Sequence, residues 1–174
     1  MEDRIVSKEL VFDGRIATGY RVKLRMGDGN VVERDYFHYN GAAVILPVLD
    51  DGRIVLIRNY RFVVDEVLWE LPAGMIDPGE DPDRCAAREL TEETGYTAGR
   101  VEKLGQFFSC PGTMDEVMHA YLAKELTDGE QGLEPYEEIS VEPRTDDDVR
   151  RMVRSGEIHD AKTVAALGLY WLRG

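Results

Sequence analysis

Apolar residues recur along this chain in two rhythms, and the change between them divides it. Ile16-Ala-Thr-Gly-Tyr-Arg-Val-Lys-Leu-Arg-Met26 alternates imperfectly, Gly27-Asp-Gly-Asn30 is a turn signal, and Val31-Val-Glu-Arg-Asp-Tyr-Phe-His38 follows. That pattern predicts a β-hairpin. Its apolar positions, Ile16, Val22, Leu24, Val31, Val32 and Phe37, are too few to close a core. The hairpin therefore needs a second surface, in cis or on another subunit. From Gly41 the rhythm changes. Ala42–Val48 is an unbroken apolar run, as in a strand covered on both faces. Asp50-Asp51-Gly52 turns the chain, Arg53–Tyr60 returns as a second strand, and Val67–Leu71 is a third, ended by Pro72-Ala73-Gly74.

A loop of Gly, Pro and Asp leads to a predicted helix, with Asp81 as N-cap, Pro82 at its first position and Gly95 as terminator. Two strand-like runs follow, Val101–Ser109 and Val117–Ala123, joined by the turn Pro111–Glu116. Asp128–Glu138 is polar and acidic and reads as a mobile loop. Ile139–Val141 is a short strand, Thr145–Asp148 opens a helix that Gly156 stops, and Asp160–Leu172 is an amphipathic helix. Mixed strands with late helices point to an α/β sandwich. Two segments are expected: residues 1–38 as an N-terminal antiparallel β subdomain, and 39–174 as the main domain.

Composition narrows the class of function. At 174 residues the chain suits one main core. It has no apolar run near the ~20 residues of a membrane span and no secretory h-region, so the expected compartment is cytoplasmic. Cys85 and Cys110 lack metal-ligand spacing and are expected to be reduced thiols. A net charge of −13 argues against nucleic-acid or anionic-membrane partners, which need a cationic footprint. A small anionic substrate stays open if divalent cations and a few arginines invert the field locally.

The chemistry concentrates in Gly74–Tyr96, GMIDPGEDPDRCAARELTEETGY. On a helix, Glu89, Glu92 and Glu93 project from one side over an arc of about 100°. Ala86, Ala87 and Leu90 take the neighbouring arc. Converging carboxylates repel one another unless cations lie between them, and all-oxygen ligands suit Mg²⁺ or Mn²⁺. A bare E-x-x-E-E is more often only a solvated acidic face, paired here with Arg84 or Arg88.

The wider spacing overrides that bland reading. The stretch resembles the Nudix box, G-x5-E-x7-R-E-U-x-E-E-x-G-U, with U apolar: Gly74, Glu80, Arg88, Glu89, Leu90, Glu92, Glu93 and Gly95 match, and Tyr96 stands where an aliphatic residue is commoner. Seven fixed identities arise by chance at ~10⁻⁸ per starting point. The resemblance implies an α/β/α sandwich with a mixed sheet. It implies hydrolysis of a nucleoside diphosphate linked to another moiety, with Mg²⁺ (or Mn²⁺) held by Glu89, Glu92, Glu93 and the backbone carbonyl of Ala73. Glu80 and Arg88 resemble a structural ion pair in the motif, and Gly74 lets backbone approach the metal.

The flanks resemble the ADP-ribose pyrophosphatase and nucleoside-diphosphate-sugar branch: Trp69–Gly74, Arg58-Asn59-Tyr60-Arg61, Asp160-Ala161-Lys162-Thr163, and a proline, Pro111, sixteen residues past Gly95. That branch implies ADP-ribose as substrate, with GDP-mannose or another nucleoside-diphosphate hexose as the alternative. It also implies an intertwined homodimer built by the N-terminal strands. The branch draws its catalytic base from the late acidic loop, where Glu134, Glu137 and Glu138 are available and Glu137 aligns best. Arg58 and Arg61 become candidates for the diphosphate and Glu116 for a sugar hydroxyl. Phe37, with Tyr36 and His38, is a candidate to stack on the base, although packing is the simpler role there. His119 and His159 are isolated, and Trp69 reads as core. A nucleotide-sensing Nudix-fold module that does not hydrolyse is the third reading. Such sensors usually lose box carboxylates and add a DNA-binding region, and this chain keeps every carboxylate.

Overall fold

The computed structural model describes residues 4–173, and these group into two compact units. The first comprises the chain up to Gly41 together with Phe108–Val117. It holds a three-stranded antiparallel sheet in the order β1 (Ile5–Asp13), β2 (Thr18–Arg25), β3 (Val31–His38). The pattern of residues predicts only β2 and β3. All nine residues of β1 are exposed, so no buried face imposes the alternation by which a strand is recognised. What holds β1 is its pairing with β2 and the Lys8 ammonium, 3.7 Å above the ring of Tyr20, which itself stacks on Tyr36 of β3 with centroids 5.5 Å apart. The Phe108–Val117 turn docks along the end of β3. Phe37 donates its N–H to Thr113 O (2.9 Å), Asp115 donates to Phe37 O (3.2 Å), and the Asp115 carboxylate takes the Tyr39 N–H and lies 2.8 Å from His38 Nδ1.

The second unit is the expected sandwich. A mixed sheet runs β7 (Ala73–Met75), β4 (Ala42–Pro47), β9 (Val117–Thr127), β8 (Thr97–Phe108), with β4 parallel to β9 and antiparallel to β7. A second, antiparallel sheet runs β10 (Ile139–Arg144), β5 (Ile54–Arg61), β6 (Glu66–Glu70). Three helices complete the unit: α1 (Pro82–Thr94), α2 (Asp146–Ser155) and α3 (Ala161–Trp171).

The unbroken apolar run of β4 has a direct cause, for both its faces are covered. Ala43 and Ile45 pack with Tyr121 and Ala123 against Cys85, Ala86 and Leu90 of α1. Val44 and Leu46 pack with Ala120 and Leu122 on the other face, against Val149 and Met152 of α2 and Ala166 and Leu167 of α3. Cys85 and Ala86 are the small residues on the inner face of α1, whereas Ala87, expected beside them, is exposed. The ends of α1 are fixed as expected: the Asp81 side chain accepts from Asp83 N, and Gly95 adopts φ 78°, the left-handed conformation that only glycine enters without strain. Thr145 and Asp160 cap α2 and α3 in the same way, each side chain accepting a backbone N–H.

The acidic loop after β9 is anchored rather than loose. The last carbonyls of a helix lack intrahelical partners, and two of those on α1 find theirs here. Gly132 N–H donates to Glu92 O (2.9 Å) and the Gln131 side-chain amide donates to Glu93 O (2.6 Å). Among the described residues, no helix is long and apolar enough to cross a membrane.

Candidate active site

The carboxylate cluster is built on α1, β7 and the acidic loop. Packing of α1 on β4 turns one side of the helix inward, so that Glu89 and Glu93 are buried while Glu92 remains partly exposed. Glu93 Oε2 accepts the Ala73 N–H at 2.8 Å. Burial pushes the Glu93 carboxyl up to about 8; Glu89 and Glu137 add repulsion, and the Ala73 N–H and Arg61 oppose the rise. Burial likewise raises Glu89, reinforced by Glu92 and Glu137 and opposed by Arg88. Glu137, six positions beyond Gln131, is thus close enough to act on both buried carboxylates. Glu138, in contrast, is exposed and makes itself felt at Tyr60. The two glutamates that the sequence could not separate point into different surroundings.

Arg88 ties the loop preceding α1 to the helix. Its Nε and Nη2 form a fork on Glu80 (3.0 and 2.9 Å), and Nη2 also donates to Met75 O (3.1 Å). Nη1 reaches Glu89 (2.5 Å) and Glu92 (3.0 Å). The guanidinium holds the Glu80 carboxyl down at about 2. Cys85 beneath it is buried, and burial raises its thiol to about 12, so it stays protonated as a weak donor to Gly74 O and Met75 O.

The chemistry of this donor set suits a divalent cation. Four carboxylates, Glu89, Glu92, Glu93 and Glu137, approach one another, and two of them are buried at a cost that an added positive charge would relieve. Gly74 leaves the space: a Cβ there would fall 2.0 Å from Glu89 Oε1. Among the described residues no three His, Cys, Asp or Glu side chains stand close enough together to hold an ion as they lie. Instead the Arg88 guanidinium stands between Glu89 and Glu92.

The arginines of β5 have separate partners. Arg58 is exposed and its guanidinium lies 5.4 Å from the Trp69 ring centroid, with Arg144 at 5.0 Å from the same ring. Arg61 gives Nε and Nη2 to the wholly buried Glu70 at 2.8 and 2.6 Å. Glu70 was not singled out from the sequence. A charge inside an apolar strand between Trp69 and Leu71 is the signal that could have marked it, since a buried charge needs a partner. Phe37 and Glu116 belong to the first unit. Phe37 is 43% exposed and meets Phe12 edge to face, and Glu116 is half-buried and accepts the Ser109 N–H at its backbone carbonyl.

Residues 38–165 match the NUDIX domain model. The chain is 34% identical over 169 residues to the ADP-ribose pyrophosphatase of Bacillus subtilis, covering 96% of this chain and 91% of that protein. It is 35% identical to the GDP-mannose pyrophosphatase of Cronobacter sakazakii, covering 95% and 96%. The crystal structure of an ADP compounds hydrolase superposes with a TM-score of 0.82 at 29% identity, over 98% of this chain and 94% of that one.

Proposed function

The chain belongs to the Nudix family, as a pyrophosphohydrolase of the ADP-ribose pyrophosphatase-like kind, and from that premise we propose that its substrate is ADP-ribose, cut to AMP and ribose 5-phosphate. The observation that carries the hydrolysis in this reading is the intact carboxylate cluster, Glu89 against Gly74 and Glu93 pinned by Ala73 N–H; the choice of ADP-ribose is the finer part of the proposal. It is supported by the 34% identity to an ADP-ribose pyrophosphatase along 96% of the chain.

The family is typically dependent on divalent metal. Mg²⁺, or Mn²⁺, held by Glu89, Glu92, Glu93 and the Ala73 carbonyl, would neutralise charge on the diphosphate and make the attacking water more acidic. The chain's own groups do the rest. Glu137 Oε2 is engaged by the Glu134 N–H at 2.8 Å, which leaves Oε1 to take the water's proton. Arg58, with no carboxylate partner among the described residues, orients the diphosphate, and Arg61 supports it from its fork on Glu70. Phe37 is our candidate for stacking on the base and Glu116 for a sugar hydroxyl. The enzyme works as a homodimer through its N-terminal strands, whose Ile5, Val6, Leu10, Val11 and Phe12 are all 46–53% exposed.

GDP-mannose is the second reading, favoured by 35% identity over almost the whole of a GDP-mannose pyrophosphatase. Incubating the protein and Mg²⁺ with a panel of nucleotide sugars, and measuring the nucleoside monophosphate released, decides between them. Fastest release of AMP from ADP-ribose is expected. Preferential release of GMP from GDP-mannose would replace the first reading with the second, and no release from any member would reject both.

A further inference from the structure

An uninterrupted line of hydrogen bonds joins the start of α3 to the strand entering the box. Asp160 Oδ2 accepts both the backbone N–H of Thr163 (3.0 Å) and its hydroxyl (2.6 Å). With its proton so committed, Thr163 Oγ1 accepts the Leu71 N–H at 2.9 Å. Asp160 Oδ1 lies 3.0 Å from Lys162 Nζ, which also donates to Glu70 Oε2 at 2.5 Å. Glu70 in turn takes the fork of Arg61. Two residues beyond Leu71, the Ala73 N–H holds Glu93.

Capping α3 does not require most of this. A helix cap needs only Asp160 and the Thr163 N–H. Lys162 and Glu70 are additional, with side chains 18% and 1% exposed. A buried ion pair adds little stability over an apolar pair of the same volume. What it does impose is position, because each group meets all its partners in only one arrangement. Two cations, Arg61 and Lys162, alternate with two anions, Glu70 and Asp160, and Thr163 conveys that arrangement to the backbone at Leu71.

We infer that Asp160, Lys162 and Thr163 are positioning residues that fix Leu71–Ala73 in register, so that the Ala73 N–H orients Glu93 for the metal. The inference rests on the reading of Glu93 as a metal ligand. None of the three contacts Glu93 itself; they act through the main chain.

Thr163→Val keeps the shape of the side chain and removes the hydroxyl, whereas Thr163→Ser keeps the hydroxyl. Mn²⁺ binding is measured calorimetrically on the substrate-free protein, and kcat and KM at saturating metal. Thr163→Val should weaken Mn²⁺ binding by about tenfold or more. It should also lower kcat while KM stays within about twofold, and Thr163→Ser should restore both. Wild-type Mn²⁺ affinity in Thr163→Val, however far its melting temperature falls, would overturn the inference. If Thr163→Val does not fold, Lys162→Met carries the same expectation, and wild-type affinity there has the same force. The Mn²⁺ titration needs no substrate, so it can fail while nucleotide-sugar hydrolysis stands. A wild-type protein that takes up no Mn²⁺ would count against the metal reading itself, and with it this inference.

Discussion

The Glu89 carboxylate lies against the bare Cα of Gly74, so close that a Cβ would stand 2.0 Å from its oxygen. Gly74→Ala must therefore move either the carboxylate or β7. A displacement near 1 Å costs about 10²-fold in rate, and kcat of Gly74→Ala should fall at least that far. Near-UV circular dichroism should remain that of the folded protein. A variant with wild-type kcat would show that Glu89 is not used where it lies.

Glu93 is 3% exposed and raised to about 8, so its charge is costly to the metal-free fold. Glu93→Gln should leave the melting temperature of the metal-free protein unchanged or higher, while turnover drops by orders of magnitude. Turnover like wild type at saturating Mg²⁺ would remove Glu93 from the ligands.

The acidic loop separates Glu137 from Glu138 by surroundings. Glu137→Gln should lower kcat by about 10²–10⁴-fold, with substrate affinity nearly intact, and Glu138→Gln should do neither. The reverse result would move the base one residue along. No effect from either would place it outside the loop.

Glu80 provides a test by acid. Its folded pKa of about 2 lies below the ordinary 4.5 because Arg88 binds the carboxylate. The ion pair therefore stabilises the fold fully above pH 4.5, and its contribution disappears as the pH falls from 4.5 toward 2. Urea denaturation of wild type and Glu80→Gln should show wild type more stable at pH 7, with the gap closing through that window. A gap independent of pH would mean that the ion pair is not its source.

Assembly is read by light scattering. The full-length protein should show about twice the monomer mass at micromolar concentration. Deleting residues 1–38 should give a monomer with weakened substrate binding. A full-length monomer that remains fully active at nanomolar concentration would exclude the shared-site homodimer.

Local signals proved readable from the sequence and distant ones did not. The N-caps Asp81, Thr145 and Asp160 and the glycine stops Gly95 and Gly156 lie where residue type alone places them, since a cap is settled within one helical turn. The unbroken run of β4 likewise announced its two covered faces. β1 escaped because it buries no face, and β7 because three residues make no pattern. The Arg61–Glu70 fork spans nine residues and two strands, and Lys162 reaches Glu70 across ninety-two; nothing local records such partnerships. Composition marks Asp128–Glu138 as a polar loop but cannot reveal its anchors, the main-chain carbonyls of Glu92 and Glu93 at the end of α1.

That anchoring gives the proposed base a short leash. The chain is fastened at Gly132 to the end of α1 and enters β10 at Ile139, so only Leu133–Glu138 span the interval. A segment closed at both ends over so few residues has little conformational entropy left to lose, and its carboxylate revisits one small volume at high effective concentration. The spacing between anchor and strand, more than the acidity of the segment, then sets how often the base is in place. Removing one residue from 133–136 would draw Glu137 back by up to about 3.3–3.6 Å, the reach of one extended residue.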